Sequence, residues 1–161
     1  MKVIKVCTGK EMFEAVKKEL PVDIAICSAA VSDFKPEYSK KKIKKNSKTA
    51  FKLSLTKNID ILDYLGKNNR NRPKFVVGFS AETENLISNS KKKIKNKNCD
   101  LIIANNVSKK DIGFNVDFNQ VELIYSDGKK ESIKKNRKSI ISSIIVKKIL
   151  SKFLFDDKNL N

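Results

Sequence analysis

The chain has 161 residues, 40% of them apolar, which is enough for one domain with a buried core. Its 35 lysines and arginines against 18 acidic residues give a net charge of +17, which favours anionic ligands. The absence of histidine excludes histidine-based general-base catalysis within these residues, and the three cysteines are too widely spaced for a zinc site or a disulfide framework.

Nucleic acid is one anion that such a charge attracts. However, the basic residues are nearly all lysine, there is no tryptophan, and the aromatic residues do not alternate with arginine as base-stacking surfaces require. The charge is therefore weak evidence for a nucleic-acid partner. The amino terminus passes directly from a short apolar run into a helix signal, and no later segment is long enough to span a bilayer. We expect a cytoplasmic protein with no membrane partner.

The start of the chain predicts a strand, a helix and a second strand. Residues 3–7 alternate like a short strand, and Thr8 and Glu11 have the spacing of a capping box, in which each side chain bonds the other residue's backbone amide. The helix that begins there is predicted to end before Pro21. The apolar run at residues 23–29 then predicts a buried strand.

The end of this second strand is the first candidate site. Small residues at 28–30 lead to Asp33, and ligands of open α/β sheets bind just beyond the carboxyl ends of the strands. The lysine-rich segment 40–45 follows, and its ammonium groups suit phosphate or carboxylate. The pattern fits a site for a nucleotide or phosphorylated substrate, and it equally fits a strand, a turn and a solvated run of charge.

The middle of the chain predicts two more buried strands. Residues 51–56 alternate as a strand with one exposed face, and residues 59–65 indicate a short helix. The apolar runs at residues 74–79 and 100–104 predict buried strands, with a helix between them over about residues 84–98. Strands separated by helices are typical of a parallel, doubly wound sheet, so we expect the strand ends to form one crevice.

The last part of the chain predicts a hairpin and a helix. Residues 121–125 and 131–133 flank a turn signal that contains Asp127 and Gly128. An amphipathic helix over about residues 138–155 is expected to cover the sheet. We therefore predict an α/β fold whose sheet is mostly parallel and carries a C-terminal hairpin. A single domain is expected over residues 1–155, followed by a polar tail at residues 156–161.

The composition limits how phosphate can be held. The five glycines are too far apart for either GxGxxG or GxxxxGK[ST], so lysines and strand-end amides must serve instead. Lys93 and Lys97 lie four residues apart on one face of a predicted helix. They could bind a triphosphate, or they could belong to a lysine-rich helix surface. Phe79 could stack on a base, or it could belong to the core.

Five ordered motifs carry the most specific signal. AAVSDF at residues 29–34 is followed by KIKK at residues 42–45, KNIDIL at residues 57–62, VGFSAET at residues 77–83 and DLIIANNV at residues 100–107. Together they resemble the signature segments of the phosphopantothenate–cysteine ligase family, which is the synthetase half of the bifunctional coenzyme A biosynthesis flavoprotein. The resemblance covers nearly all of the chain.

The resemblance implies a Rossmann-like three-layer sandwich and a ligase that uses CTP with Mg²⁺. Such an enzyme activates the carboxylate of 4′-phosphopantothenate as an acyl-cytidylate and releases pyrophosphate. The amine of L-cysteine then displaces CMP, and 4′-phosphopantothenoylcysteine forms for coenzyme A biosynthesis. The resemblance also implies no flavin in this chain and a homodimer formed through the hairpin region. A reaction that depends on aligning the substrates and on cationic contacts to phosphate needs no histidine.

The resemblance assigns site residues as well. Lys42 is implied as the catalytic residue, because an ammonium group can neutralise charge that develops at the attacked α-phosphate. Lys93 and Lys97 are implied to hold the triphosphate. The residues implied to line the nucleotide pocket are Cys27, Ser28, Ala29, Asp33, Ile59, Asp60, Ile61, Leu62 and Phe79.

The sequence departs from the family pattern at its start. Members of the family open with a glycine-rich strand-to-helix turn and an asparagine-bearing loop, and these residues begin after both. The flavin-dependent decarboxylase half is absent too, and Ile59 replaces a proline. Two alternatives to an autonomous ligase therefore stay open. One is a non-catalytic or split-gene portion that needs a separate chain to supply the missing segment or the decarboxylase, and the other is a basic nucleic-acid-binding protein.

Overall fold

The structure is a computed structural model that describes residues 2–38, 42, 52–68, 70–108, 111–112 and 116–158. Its contacts divide the chain into two compact units. Unit 1 comprises Met1–Leu20 and Ala30–Ile61, and unit 2 comprises Pro21–Ala29 and Leu62–Asn161. The expectation of one domain over residues 1–155 stays a prediction.

The secondary structure alternates between strands and helices before ending in a hairpin and a long helix. In chain order the elements are α1 (Gly9–Glu19), β1 (Ile24–Cys27), β2 (Phe34–Pro36), β3 (Leu55–Lys57), α2 (Ile61–Lys67), β4 (Phe75–Glu82), α3 (Leu86–Lys97), β5 (Leu101–Asn106), β6 (Phe118–Tyr125), β7 (Lys130–Arg137) and α4 (Lys138–Lys158).

Helix α1 of unit 1 begins at the predicted capping box. The Thr8 hydroxyl accepts from the Glu11 amide at 3.1 Å, and the Glu11 carboxylate accepts from the Thr8 amide at 3.3 Å. The same carboxylate accepts from the Cys7 amide at 2.7 Å. Each bond satisfies an N–H group that the helix itself leaves without a partner. The prediction of a helix beginning here and ending before Pro21 is confirmed.

The predicted strand at residues 3–7 is wrong. Residues 2–6 have no regular secondary structure, and the side chains of Val3 and Ile4 are 68% and 45% exposed. Among the described residues, no strand pairs with this segment. An alternating pattern describes one chain segment, whereas a strand also needs a neighbour that takes up its N–H and C=O groups.

The strands of unit 1 form a two-stranded antiparallel sheet. Phe34 lies opposite Lys57, and Pro36 lies opposite Leu55. The sequence predicts a strand over residues 51–56, but β3 begins at Leu55, residues 52–54 are outside any strand, and residue 51 is outside the described part of the chain. Strand β2 was not predicted, because three residues ending in proline carry no periodic pattern.

The sheet of unit 2 has five strands in the order β1-β4-β5-β6-β7. Strands β1, β4 and β5 are parallel neighbours, as predicted, and β6 and β7 are antiparallel. Val76 and Val77 on β4, and Ile102 and Ile103 on β5, are all fully buried. Successive side chains point to opposite faces, so both faces of these strands are covered.

Helices cover the two faces of this sheet. On one face, Ile141, Ile145 and Ile149 of α4 pack in one cluster with strand residues of β4 to β7. On the other face, a Cβ atom added at Gly78 would lie 2.6 Å from a methyl carbon of Leu62 on α2 and 2.8 Å from one of Ile102. Gly78 therefore leaves room for the Leu62 side chain to pack directly on the strand. The predicted three-layer, Rossmann-like α/β arrangement is confirmed.

The C-terminal hairpin and helix are longer than predicted. Strands β6 and β7 each have eight residues, and they are joined by a turn in which Gly128 has a φ of 88°, a conformation that suits glycine. Helix α4 runs to Lys158, so the predicted polar tail is helical as far as residue 158, and residues 159–161 lie outside the described residues. None of the helices described here combines the length and apolarity needed to cross a membrane.

Candidate functional site

The carboxyl ends of β1, β4 and β5 lie at one edge of the sheet, because the three strands are parallel neighbours. Cys27, the last residue of β1, lies opposite Gly78, and β4 continues beyond it. At the ends of β4 and β5, Glu82 lies opposite Asn106. The predicted positions Ser28 and Ala29 follow β1 directly and are exposed. This edge is where an open α/β sheet binds its ligands.

Lys93 lies close to the end of β1, because its ammonium nitrogen donates at 3.0 Å to the backbone carbonyl of Phe79, which follows the partner of Cys27 on β4 and precedes the end of β4 by three residues. The structure therefore brings two of the predicted residues together. Phe79 is partly buried and packs against the hydrophobic cluster beneath α4. These contacts support the alternative that Phe79 belongs to the core. Since α3 packs on the other face of the sheet, Lys93 meets the Phe79 backbone rather than its ring.

Lys97 is one helical turn further from the strand ends than Lys93, a rise of about 6 Å along the helix. Its ammonium nitrogen lies 3.4 Å from a carboxylate oxygen of Asp63, which also pairs with Lys67 at 2.7 Å. The side chains of Lys97 and Asp63 are 26% and 32% exposed. An ion pair this close to water contributes about 1 kcal/mol or less, so a polyphosphate can compete for the ammonium group.

The predicted positions of unit 1 meet around Asn58. Its amide donates to the Asp33 carbonyl at 2.8 Å, and its side-chain nitrogen donates to the Ser32 carbonyl at 3.0 Å. Its side-chain oxygen accepts from the amide of Ile59 at 3.0 Å. Asn58 therefore holds the segment that bears Asp33 against the segment that bears Ile59. No periodicity in the sequence marks this role.

The other predicted positions of unit 1 differ in exposure. Asp33, Lys42, Ile59 and Asp60 are exposed, and Ile61 is buried. Leu62, the next residue along and part of unit 2, is partly buried. The remaining lysines of the segment at residues 40–45, namely residues 40, 41, 44 and 45, lie outside the described residues.

Unit 1 contains a cavity of about 410 Å³. Cys7 and Thr8 before α1, Ser32 and Phe34 after β1, and Asn58 after β3 are among the residues that line it. Its volume is in the range of small-molecule sites. The predicted nucleotide residues do not line this cavity, although Asp33 and Ile59 are sequence neighbours of residues that do.

A further group of polar side chains at the end of β4 was not predicted. Ser80, which is 2% exposed, donates to the Glu82 carboxylate at 2.6 Å. Asn89 on α3 donates to the other oxygen of that carboxylate at 3.0 Å. Ser80 and Glu82 alternate on the strand, and Asn89 precedes Lys93 by one helical turn. Asn89 comes close to Ser80 and Glu82 only because α3 packs on β4, and the sequence alone does not show this packing.

The cysteine and carboxylate side chains were considered as a nucleophile and as metal ligands. Burial raises the pKa of the Cys99 thiol to about 12, and the neighbouring Asp100 carboxylate adds to this shift, so Cys99 is an inert core residue. No group of three or more cysteine, aspartate or glutamate side chains in the described ranges is arranged to hold a metal ion. Mg²⁺ is usually bound through one or two carboxylates together with substrate phosphates, so a nucleotide would itself supply part of its coordination.

Comparison with known proteins gives a consistent result. Residues 1–153 match the model of a family described as the DNA/pantothenate metabolism flavoprotein C-terminal domain. The coenzyme A biosynthesis bifunctional protein CoaBC of Borreliella burgdorferi is 37% identical over 146 residues, which are 89% of this chain and 36% of that protein. The protein of the same name from Vibrio vulnificus is 36% identical over 149 residues, which are 91% of this chain and 37% of that protein.

A solved structure has the same fold. The crystal structure of the C-terminal domain of coenzyme A biosynthesis bifunctional protein CoaBC superposes with a TM-score of 0.71 at 27% sequence identity. The superposition covers 96% of this chain and 66% of that one. The chain thus spans about a third of the length of the curated relatives it matches and part of the solved domain.

Proposed function

Because the chain belongs to the DNA/pantothenate metabolism flavoprotein C-terminal domain family, we propose that it acts in coenzyme A biosynthesis as a ligase that joins 4′-phosphopantothenate to L-cysteine at the expense of CTP. The observation that carries this proposal is the contact of Lys93 with the Phe79 carbonyl on β4, one residue beyond the pair that ends the parallel neighbour β1. A lysine at this edge suits the phosphates of a nucleotide.

The proposed reaction has two steps. A carboxylate oxygen of 4′-phosphopantothenate attacks the α-phosphorus of CTP, the bond to the β-phosphate oxygen breaks, and pyrophosphate leaves. The amine of L-cysteine then attacks the acyl carbon of the acyl-cytidylate, CMP leaves, and the amine gives up a proton. Negative charge develops on the α-phosphate and on the departing pyrophosphate in the first step, and on the acyl oxygen and the departing CMP in the second. Fixed cations and correct alignment are therefore the main contributions required of the protein.

Unit 2 supplies the residues proposed to hold the polyphosphate. Lys93 reaches the strand ends already fixed by its bond to the Phe79 carbonyl, which lowers the entropy lost when phosphate binds. Lys97 would exchange its partly exposed pair with Asp63 for a phosphate oxygen. Cys27, Ser28 and Ala29 at the end of β1, together with Phe79 and Leu62, are proposed to contact the cytidine.

Unit 1 supplies the residues proposed for the remaining contacts. Asp33 and the stretch from Ile59 through Asp60 to Ile61 are proposed to bind the nucleoside, and Asn58 holds these two segments together. Lys42, which is exposed, is proposed to neutralise charge at the α-phosphate. An exposed lysine stabilises such charge strongly only in a site that excludes water.

Cofactor and assembly follow from the same family membership. Mg²⁺ would accompany the triphosphate and would be held mainly by its phosphate oxygens. We propose no flavin for these residues, a homodimer through the hairpin of β6 and β7, and a phosphopantothenoylcysteine decarboxylase as the functional partner. The relatives named above are bifunctional proteins of coenzyme A biosynthesis.

The nucleotide preference tests the proposal directly. We expect isothermal titration of the chain with CTP and with ATP, each with Mg²⁺, to show tighter binding of CTP. Product formation from 4′-phosphopantothenate and L-cysteine can be followed in parallel by pyrophosphate release. Equal affinities for the two nucleotides would contradict the proposed specificity, and binding of neither would contradict the proposed site.

A second candidate function, a portion that needs another chain for activity, is favoured by the two edges of the sheet in unit 2. Edge strand β7 is charged, with Lys130, Lys134 and Arg137 among its residues, and charge protects an edge against pairing. Edge strand β1 reads IAIC and has no charge, and Ile26 on it is 48% exposed. Among the described residues, no strand pairs with its outer edge. Such an edge is suited to a further strand.

This second candidate predicts a complex that depends on the β1 edge. The chain is mixed with the separately expressed remainder of the Borreliella burgdorferi protein, and complex formation is measured by size-exclusion chromatography with light scattering. Ile26→Lys should prevent a stoichiometric complex, because it places a charge beside the pairing edge. Val146→Lys on α4 is the matched control, since Val146 is 47% exposed. Absence of a complex, or a complex indifferent to Ile26→Lys, would contradict this candidate.

A further inference from the structure

We propose that Glu82 is a positioning residue that holds α3 against the end of β4 and thereby sets the place of Lys93. The inference rests on the proposed function only in taking Lys93 as a ligand of polyphosphate. Neither the motifs of the sequence nor the comparisons assign this role to Glu82.

The carboxylate of Glu82 joins the strand to the helix. One oxygen accepts from the Ser80 hydroxyl at 2.6 Å, and the other accepts from the side-chain nitrogen of Asn89 at 3.0 Å. Ser80 is 2% exposed, so the hydroxyl that orients the carboxylate is itself fixed by burial. Two oxygens that bind two different elements act as a bracket between β4 and α3.

Lys93 forms the second connection between the same two elements. It follows Asn89 by four residues, so the two side chains lie on one face of α3. Asn89 binds Glu82 and Lys93 binds the Phe79 carbonyl, so successive turns of the helix are tied to successive parts of one strand. If the hydrogen bond between Asn89 and Glu82 is lost, this part of α3 keeps one of the two hydrogen bonds described here, the one from Lys93 to Phe79.

The hydrogen bond between Glu82 and Asn89 matters more because the start of α3 has no side-chain cap. The N-cap residue, Asn85, has a left-handed backbone with a φ of 52°, and its side chain makes no capping bond. A helix end without a side-chain cap is less firmly fixed than a capped one. The Asn89 side chain also donates to the Glu84 carbonyl at 3.4 Å, so Glu82 and Asn89 together hold the first turns of the helix.

An electrostatic role and a positioning role of Glu82 predict opposite changes in polyphosphate affinity when its carboxylate is removed. A negative charge near bound phosphates repels them, so removing it should strengthen polyphosphate binding if charge alone matters. If Glu82 acts by positioning, Glu82→Ala should weaken binding, because Lys93 is less well placed. The two effects can therefore be separated by the direction of the change.

The test measures the affinities of CTP, CMP and inorganic triphosphate by isothermal titration for three variants. Glu82→Ala should weaken CTP and triphosphate about fivefold, as expected for one hydrogen bond, and leave CMP nearly unchanged. Glu82→Gln should restore binding, because its oxygen still accepts from Ser80 and its amide can bond a reoriented Asn89. Glu84→Ala is the matched control, since it removes the same charge from an exposed side chain two residues away.

Each outcome decides between the alternatives. Tighter triphosphate binding by Glu82→Ala, or equal effects of Glu82→Ala and Glu82→Gln, would overturn the positioning role. Parallel loss of CMP and CTP binding together with a lower melting temperature would show a structural role instead and would also overturn it. If the unmodified chain binds triphosphate without preferring CTP, the proposed function fails while the inference is still tested. If it binds no triphosphate, both fail.

Discussion

Replacing Lys93 with alanine should weaken CTP binding by about 1.5–3 kcal/mol, the range for a hydrogen bond to a charged group. The ammonium group is held 3.0 Å from the Phe79 carbonyl, beside the end of β1, so its position is set before the ligand arrives. In the proposed complex it meets a triphosphate, whose charge makes the bond stronger than the one to a neutral carbonyl. Isothermal titration of the variant and the unmodified chain measures the difference.

The control for this variant is Lys95→Ala on the same helix. Lys95 is exposed, and its replacement removes the same charge from the same element. A contribution from overall positive charge alone would make the two variants alike, and raising the salt concentration would remove the effect in both. If Lys95→Ala weakens CTP as much as Lys93→Ala does, the assignment of Lys93 as a phosphate ligand is wrong.

Replacing Gly66 with alanine should lower the free energy of unfolding by about 3 kcal/mol, at the upper end of overpacking effects. A Cβ atom at this buried position would lie 1.8 Å from the backbone oxygen of Lys97 and 2.9 Å from that of Asn98. Backbone oxygens cannot rotate away, so α2 and α3 would have to separate. Alanine stabilises a helix interior by about 1 kcal/mol relative to glycine, which is too little to offset the collision.

The separation of the two helices would also disturb hydrogen bonds. The Gly66 carbonyl accepts from Arg72 at 3.1 Å and from the Asn98 side chain at 2.7 Å. Urea unfolding followed by circular dichroism measures the effect, with Lys67→Ala as the control because Lys67 is an exposed neighbour on the same helix. A Gly66→Ala chain as stable as the control would show that α2 and α3 are not packed as described.

Several elements were predictable because their signals are local. The capping box at Thr8 and Glu11 needs only residues within one turn, and the turn at Asp127 and Gly128 needs only four consecutive positions. The buried strands β4 and β5 were predictable because parallel strands covered on both faces are apolar throughout. The alternation at residues 3–7 failed because pairing depends on a partner that no local pattern reveals.

The site divides in the same way. Lys93 and Phe79 could be named from the order of motifs, and the structure brings the Lys93 ammonium group to the Phe79 carbonyl. Asn58 and Glu82 were missed because their roles arise from hydrogen bonds between segments distant in sequence or between strand and helix. Hydrogen bonds of this kind depend on distances that the sequence does not contain.

By itself, the sequence determined the class of fold, the family and the residue types available for chemistry, since hydrophobic periodicity and motif order are properties of one chain read along its length. Only the tertiary structure decided which polar groups of different elements are partners. In the structure, Lys97 forms an ion pair with Asp63, and Lys93 donates to the Phe79 carbonyl. Glu82 accepts hydrogen bonds from Ser80 on β4 and from Asn89 on α3. The reason is that a polar contact forms within about 3 Å, and only packing brings distant segments that close.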